Sequence, residues 1–290
     1  MKDDSAVRFS GQNINSGKEW TFDTAAAAYE RIRPGYPDEL YRAVFSYCPL
    51  GSGSRAVEVG IGGGQASLPV LKTGCALTAV EYGEHLSQIC SEKYGSWPGF
   101  SVMTGKFEQA VLPDDSYDLV YSASAFHWIP EEAGYTKVRR ILKPGGVFAR
   151  FANHPFRGKD QPDLFSAIDE AYAKYYYPYY GKQPEKIREY TEEQAAGRAD
   201  IAKKYGFTDI RYALFYRTRT LSAAEYRLLL STYSDHIAME ETVRERFFDE
   251  IEDAVGRYGG FISLFDTIDL QLARKPLQND LRRFARTSGV

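Results

Sequence analysis

The stretch that most constrains this chain is Ala56-Val57-Glu58-Val59-Gly60-Ile61-Gly62-Gly63-Gly64-Gln65. A short apolar, β-branched run stops abruptly in glycines, and a helix-like segment follows. That pattern predicts a buried strand, a tight loop and a helix N-terminus. Glycines at 60, 62 and 64 admit positive φ and put no Cβ between the backbone and a ligand. The helix behind them supplies unpaired N–H groups and partial positive charge. Such a loop can take a ligand against the backbone itself.

The rest of the chain extends the pattern. Residues 1–21 are polar and irregular and read as an N-terminal arm. Ala25 to Tyr29 favours a short helix, and Pro34, Gly35 and Pro37 end it. Asp38 then reads as the N-cap of a helix running to about Cys48. After the glycine loop, helix-like segments at 66–72, 85–94 and 131–142 alternate with apolar runs at 76–80, 100–104, 117–122 and 147–152. Strand and helix joined by short connections predict an α/β fold, a parallel sheet wound with helices on both faces. Ligands in such sheets bind beyond the C-terminal strand ends. The glycine loop, Glu81, Phe107-Glu108 and Ser122 to Trp128 all fall at such ends.

The second half changes character. Residues 160–205 read as helical and carry the cluster Tyr175-Tyr176-Tyr177-Pro178-Tyr179-Tyr180. Strands are expected at 210–219 and 261–272, with a helical stretch from Ser222 to about Tyr258 between them. We therefore expect one domain at 22–274 with a cofactor-binding core at 22–155. Helical insertions at 156–209 and 220–260 would cap it, and a tail would follow at 275–290.

Composition narrows the classes. The 290 residues carry a formal net charge of −3, without the basic surplus of a nucleic-acid binder. The four histidines show no metal-ligand spacing, and the three cysteines form no C-x-x-C. No run reaches the apolar length of a membrane span, and the N-terminus has no apolar signal core. The expectation is a cytoplasmic protein with no metal, no nucleic-acid partner and no membrane partner.

The glycine spacing carries more. The dinucleotide fingerprint G-x-G-x-x-G would need glycine at 65, where Gln65 stands. Glu81 ends the second strand twenty-one positions after Gly60, where a carboxylate can accept both hydroxyls of a ribose. That acid alone fits a nicotinamide dinucleotide as well, so an NAD-dependent oxidoreductase stands as an alternative.

Six motifs in order resemble the class I S-adenosylmethionine-dependent methyltransferases, in particular the type 11 and trans-aconitate methyltransferase-like branch that acts on small molecules. They are Tyr29 to Pro37, Glu58 to Gly64, Ala79-Val80-Glu81, Gly105-Lys106-Phe107-Glu108, Tyr117 to Val120 with Ser124 to Trp128, and Leu142 to Gly146. The resemblance covers residues 22 to about 155. It implies a doubly wound, mostly parallel seven-stranded, Rossmann-like sheet whose last strand is antiparallel. It implies S-adenosylmethionine as cofactor and in-line transfer of its methyl group to a small-molecule acceptor.

The same resemblance implies roles. Gly60, Gly62 and Gly64 would let the backbone approach the methionine part of the cofactor, and Glu58 would position that loop or meet the amino group. Glu81 would bind the ribose. Phe107 would flank the adenine, with Glu108 near its nitrogens. Ser122 and Ala123 would lie near the sulfonium. Tyr29 and Arg33 would close over cofactor and acceptor. A phenol, alcohol or amine acceptor could use a general base, for which His127 is the first candidate, whereas a carboxylate acceptor would need none. A non-catalytic S-adenosylmethionine-binding protein would carry the same cofactor set.

Overall fold

The computed structural model describes residues 23, 25–184 and 187–277. The expected arm at 1–21, and most of the expected tail, lie outside them. Among the described residues one seven-stranded sheet forms the centre, in the order β3-β2-β1-β4-β5-β7-β6. Its strands are β1 (Arg55–Val59), β2 (Ala76–Glu81), β3 (Phe100–Thr104), β4 (Tyr117–Ala123), β5 (Leu142–Arg157), β6 (Thr208–Ser222) and β7 (Phe261–Arg274). β1 pairs in parallel with β2 and β4, β2 with β3, and β4 with β5. Only β7 runs antiparallel, between β5 and β6.

Helices cover both faces because each presents one apolar stripe. On one face α2 (Asp38–Tyr47) buries Leu40, Tyr41 and Val44 against Leu119, Tyr121 and Phe151 of the sheet. On the other, α5 (Glu131–Ile141) buries Tyr135, Val138 and Ile141 against Val120 and Phe148. A fully buried leucine such as Leu40 contributes roughly 1.5–3 kcal/mol relative to exposure. Short helices α1 (Ala26–Ile32), α3 (Ser67–Leu71) and α4 (Glu84–Tyr94) flank the glycine loop.

Two local expectations are corrected. Asp38 is the first residue of α2 rather than its N-cap; Pro37 occupies the cap and no side chain bonds there. Asp38 and Glu39 instead place negative charge in the first turn, where the helix dipole favours it. The segment Lys143-Pro144-Gly145-Gly146 is not a turn ahead of a short fifth strand. It lies inside β5, where Gly145 at φ +81° donates its N–H to Lys275 O at 2.9 Å.

β5, β7 and β6 also run past the end of β4, which stops where Ala123 faces Phe151. This overhang carries the second-half helices α6 (Pro162–Ala171), α9 (Ala223–Leu230) and α11 (Glu241–Arg257). Their buried faces, with Ile262 and Leu264 of β7, form a separate apolar cluster. A π-helical turn at Tyr172–Tyr176 leads into α7 (Tyr177–Tyr180), so the tyrosine run packs the cap's own core. α8 (Glu192–Lys204) starts on a Thr191–Gln194 capping box and lies against the opposite face of β6 and β7. No described helix is long and apolar enough to cross a membrane.

Candidate functional site

The glycine loop follows β1 as expected. Gly60, Gly62 and Gly64 sit at φ +71°, +56° and +78°. A Cβ on Gly60 would lie 2.4 Å from Ala125 Cβ, and one on Gly64 would lie 2.4 Å from the Tyr94 ring. These two glycines are therefore demanded by the protein's own packing. Gly62 faces Tyr29, whose ring edge would lie 3.1 Å from such a Cβ.

Two carboxylates stand beside the loop. Glu58 is fully buried; its Oε2 accepts from Ser67 Oγ and Tyr121 OH, each at 2.6 Å. Its Oε1 is buried with no partner among the described residues. Burial pushes Glu58 up to about 7, against the pull of those two hydroxyls, and Glu81 adds to the rise. Glu81 accepts the Gly62 N–H at 2.8 Å and the Gly83 N–H at 3.0 Å, fastening β2 to the loop. Burial raises Glu81 too, while the amides of Gly83, Gly62 and Tyr82 pull it down.

The N-terminal segment crosses above. Asp23 accepts the Leu86 N–H at 3.0 Å at the start of α4, and Gln65 Nε2 donates to Tyr29 O at 3.3 Å. Arg33 donates from Nε to Thr232 Oγ1 at 2.9 Å and from Nη2 to Thr232 O at 2.8 Å. Its guanidinium lies 5.0 Å from the Tyr29 ring centre and 4.7 Å from that of Tyr233. Among the described residues no carboxylate pairs with it. Tyr29 and Arg33 thus join the glycine loop to the cap.

Beyond β4 a second set appears, which the sequence reading missed. Ser124 has φ +55°, an uncommon conformation for a non-glycine residue. Its Oγ lies 2.8 Å from Tyr36 OH and accepts the Asn153 N–H at 3.2 Å. Asn153 Oδ1 accepts from Arg217 Nη2 at 3.4 Å. Arg217 and Arg219, alternate residues on β6, both bond Asp266 of β7, which is fully buried. Burial raises the Tyr233 phenol, and Arg33, Arg219 and Asp266 also act on it, so these groups share one neighbourhood. A positive φ on serine has no sequence signature. The arginine spacing was visible, but only the pairing with β7 turns that face inward.

The remaining expected residues are more dispersed. Ser122 is fully buried and donates to Val59 O at 2.8 Å, so its hydroxyl ties β4 to β1. Ala123 is the half-buried last residue of β4. The Phe107 ring is buried in the core, with Lys137 Nζ 4.9 Å from its centre. Glu108 lines an open groove with Pro130, Lys137 and Arg140. The exposed ring at that end is Tyr82, directly after Glu81, with Lys106 Nζ 5.6 Å from its centre. An aromatic next to the strand-end acid was the signal for it.

His127 keeps an exposed edge on the short 3-10 turn Phe126–Trp128. Burial of the rest of the ring, then Arg150, Arg198 and His154, push it down to about 4. Two of the groups that act on it, His154 and Arg198, bond Asp269 on the α8 face. There Asp269 accepts from His154 at 3.0 Å, Tyr190 OH at 3.0 Å and Arg198 at 3.2 Å. Among the described residues no group of three or more His, Cys, Asp or Glu side chains could hold a metal ion.

The residues at the loop fit a nucleoside-bearing amino acid. The loop carries no side chain at Gly60, Gly62 or Gly64, Glu58 Oε1 is buried without a protein partner among the described residues, and Glu81 ends β2 beside the loop. Comparison with known proteins agrees. Residues 57–150 match the family model described as a methyltransferase domain. An uncharacterized methyltransferase from a Geobacillus species is 30% identical over 160 residues, 52% of this chain and 72% of that relative. Another from Schizosaccharomyces pombe is 23% identical over 236 residues, 81% of this chain and 87% of the relative.

Among solved structures, a putative type II methyltransferase from Anaeromyxobacter dehalogenans superposes with a TM-score of 0.58 at 21% identity, covering 85% of this chain and 99% of that one. Phosphoethanolamine N-methyltransferase 2 of Haemonchus contortus was solved with phosphomonomethylethanolamine and S-adenosylhomocysteine. It superposes at 0.51 and 16% identity, covering 88% of this chain and 57% of that one. At these identities the structural likeness speaks for the fold.

Proposed function

We propose that this chain, which belongs to the class I S-adenosylmethionine-dependent methyltransferases, transfers the methyl group to a small organic anion bound between the sheet overhang and the cap. The family membership removes the oxidoreductase alternative. One observation carries the choice of acceptor. Arg217 and Arg219 share the single carboxylate of Asp266 under the cap, and Arg33, which bonds Thr232 and lies over the Tyr233 ring, adds a third cation with no carboxylate partner among the described residues. A desolvated cationic surplus favours an anionic partner.

When bound, S-adenosylmethionine supplies an electrophilic methyl group on a sulfonium. The chain's own residues align and shield. In this reading Glu58 holds the amino group and Glu81 the ribose hydroxyls. Gly60, Gly62 and Gly64 shape the loop under the amino-acid end. Tyr82 offers the flat face to the adenine, with the Phe107–Glu108 backbone at its edge and the Phe107 ring packed behind. Ala123 and the backbone of Ser122 border the methyl end, and Tyr29 and Arg33 form the roof.

A carboxylate acceptor is already deprotonated and needs no general base. That fits His127, whose basicity is depressed by burial and by the cations Arg150 and Arg198. The three free, buried cysteines fit the cytoplasmic setting expected from the sequence. The test is turnover. Labelled cofactor is incubated with the protein and a metabolite extract fractionated into anionic and neutral pools. Label should enter the anionic pool as methyl ester or ether. Label confined to the neutral pool, or to protein or nucleic acid, would overturn the reading.

A further inference from the structure

The hydroxyl groups of Tyr36 and Ser124 lie 2.8 Å apart, and either can be the donor. Hydrogen-bond bookkeeping gives the same result both ways. If Tyr36 donates, Ser124 Oγ accepts twice, from Tyr36 and from the Asn153 N–H, and its own O–H is spare. If Ser124 donates, the Tyr36 O–H is spare. Two hydroxyl hydrogens serve one mutual bond, and among the described residues no acceptor takes the other. Both residues are half-buried, so the spare donor is accessible to a ligand.

Its position says which ligand. Ser124 follows the last residue of β4, and its neighbour Ala125 packs on Gly60 of the loop. On the far side, Asn153 leads to Arg217 and Asp266. The Tyr36 ring is braced edge-on against Phe151 at 4.7 Å. Burial raises the Tyr36 phenol, with Tyr29, Glu58 and Arg33 also acting on it, so it lies near both the loop carboxylate and Arg33 and stays protonated. Ser124 is held at positive φ, a strain that persists where surrounding structure fixes it for use.

We propose that the Tyr36–Ser124 hydroxyl pair gives its spare hydrogen bond to the anionic acceptor and so orients the attacking oxygen toward the methyl end. This rests on the acceptor reading above. Because either hydroxyl can supply the spare hydrogen, the pair is redundant, and that has an unusual signature. Tyr36→Phe leaves the Ser124 O–H, and Ser124→Ala leaves the Tyr36 O–H. Each single variant should lower label transfer into the metabolite extract by only about two- to threefold, through looser orientation. The double variant loses the donor altogether and should fall by about a hundredfold or more, the effect of a hydrogen bond to a charged group.

Calorimetric titration with S-adenosylhomocysteine should give the same affinity, within about twofold, for all four proteins, since no cofactor contact is touched. Losses that merely multiply, or a double variant that transfers label like the wild type, overturn the proposal. A double variant that no longer binds S-adenosylhomocysteine also overturns it, by making the pair structural. A wild-type protein that binds S-adenosylhomocysteine but labels nothing in the extract instead fails the acceptor reading itself.

Discussion

Beside the glycine loop two buried carboxylates, Glu58 and Glu81, flank the backbone; under the cap Arg217 and Arg219 share Asp266, and Arg33 bonds Thr232. The two ends also differ in construction. The carboxylates come from adjacent parallel strands, Glu58 two residues before Gly60 and Glu81 at the end of β2, 19 residues from Gly62. The arginines come from α1 and β6, nearly two hundred residues apart, and meet only because β6 and β7 fold back along β5. In the proposed reading, cofactor recognition is local and acceptor recognition is assembled. The charge separation suits a cationic methyl donor facing an anionic acceptor, and it can be broken one end at a time.

The largest effect is expected at the cap end. Removing both β6 arginines would strand Asp266 in the interior, so the informative variant neutralises the group together, as Arg217→Met, Arg219→Met and Asp266→Leu. Replacing a buried ion cluster by apolar residues of similar size is often neutral or stabilising. The triple variant should melt within a few degrees of wild type and bind S-adenosylhomocysteine unchanged. Its transfer of label to the anionic pool should drop roughly a hundredfold, the scale of losing desolvated charge contacts. Retained transfer would mean that the arginines merely hold the overhang together.

That contrast also governs what the sequence disclosed. Glycines, a strand-end acid and strict alternation leave local marks, so the loop, Glu81 and the parallel half were legible. Arg217 and Arg219, by contrast, sit two apart on an edge strand, a spacing that on its own describes a solvated face. Asp266 and Asp269 are three apart on β7 and so point to opposite faces, one toward the cap and one toward α8. Nothing in the string distinguishes them. The tyrosine run at 175–180 was visible, yet its role in the cap core depends on a π-helical turn that no residue type announces. His127 was chosen for its place after β4; the arginines that depress it come from β5 and α8.

At the acid end the effect is smaller and depends on pH. Burial pushes Glu58 up to about 7 from an ordinary 4.5, so the native state favours its neutral form. The stabilisation from the neutral carboxyl is complete below about pH 4.5 and is lost as pH rises through about 7, a change of about 3 kcal/mol. Glu58→Gln does not titrate. The stability difference between variant and wild type should therefore shift in favour of the variant across that window, by chemical denaturation at successive pH values. Affinity for S-adenosylhomocysteine should move the other way, rising with pH in the wild type as the carboxylate charges to meet the ligand's amino group. A Glu58→Gln profile as steep as the wild type would remove Glu58 from cofactor binding.

The smallest effect is expected between the two ends, where Ser124 holds its positive φ. Glycine adopts that backbone at no steric cost, whereas an L-residue there costs roughly 1–2 kcal/mol. Ser124→Gly gives up part of that gain through added freedom of the unfolded chain, and it also removes one hydrogen bond to Asn153 and one to Tyr36. These terms oppose one another, so the net change should be small, about 1 kcal/mol or less in either direction, measured as a shift in denaturation midpoint. Transfer should nonetheless fall by the few-fold expected of losing one hydroxyl of the pair. A variant both more stable and slower would mark Ser124 as strain retained for the acceptor, at the boundary where the local end of the cleft meets the assembled one. A variant more stable and equally fast would assign the strain to the chain's turn out of β4 alone.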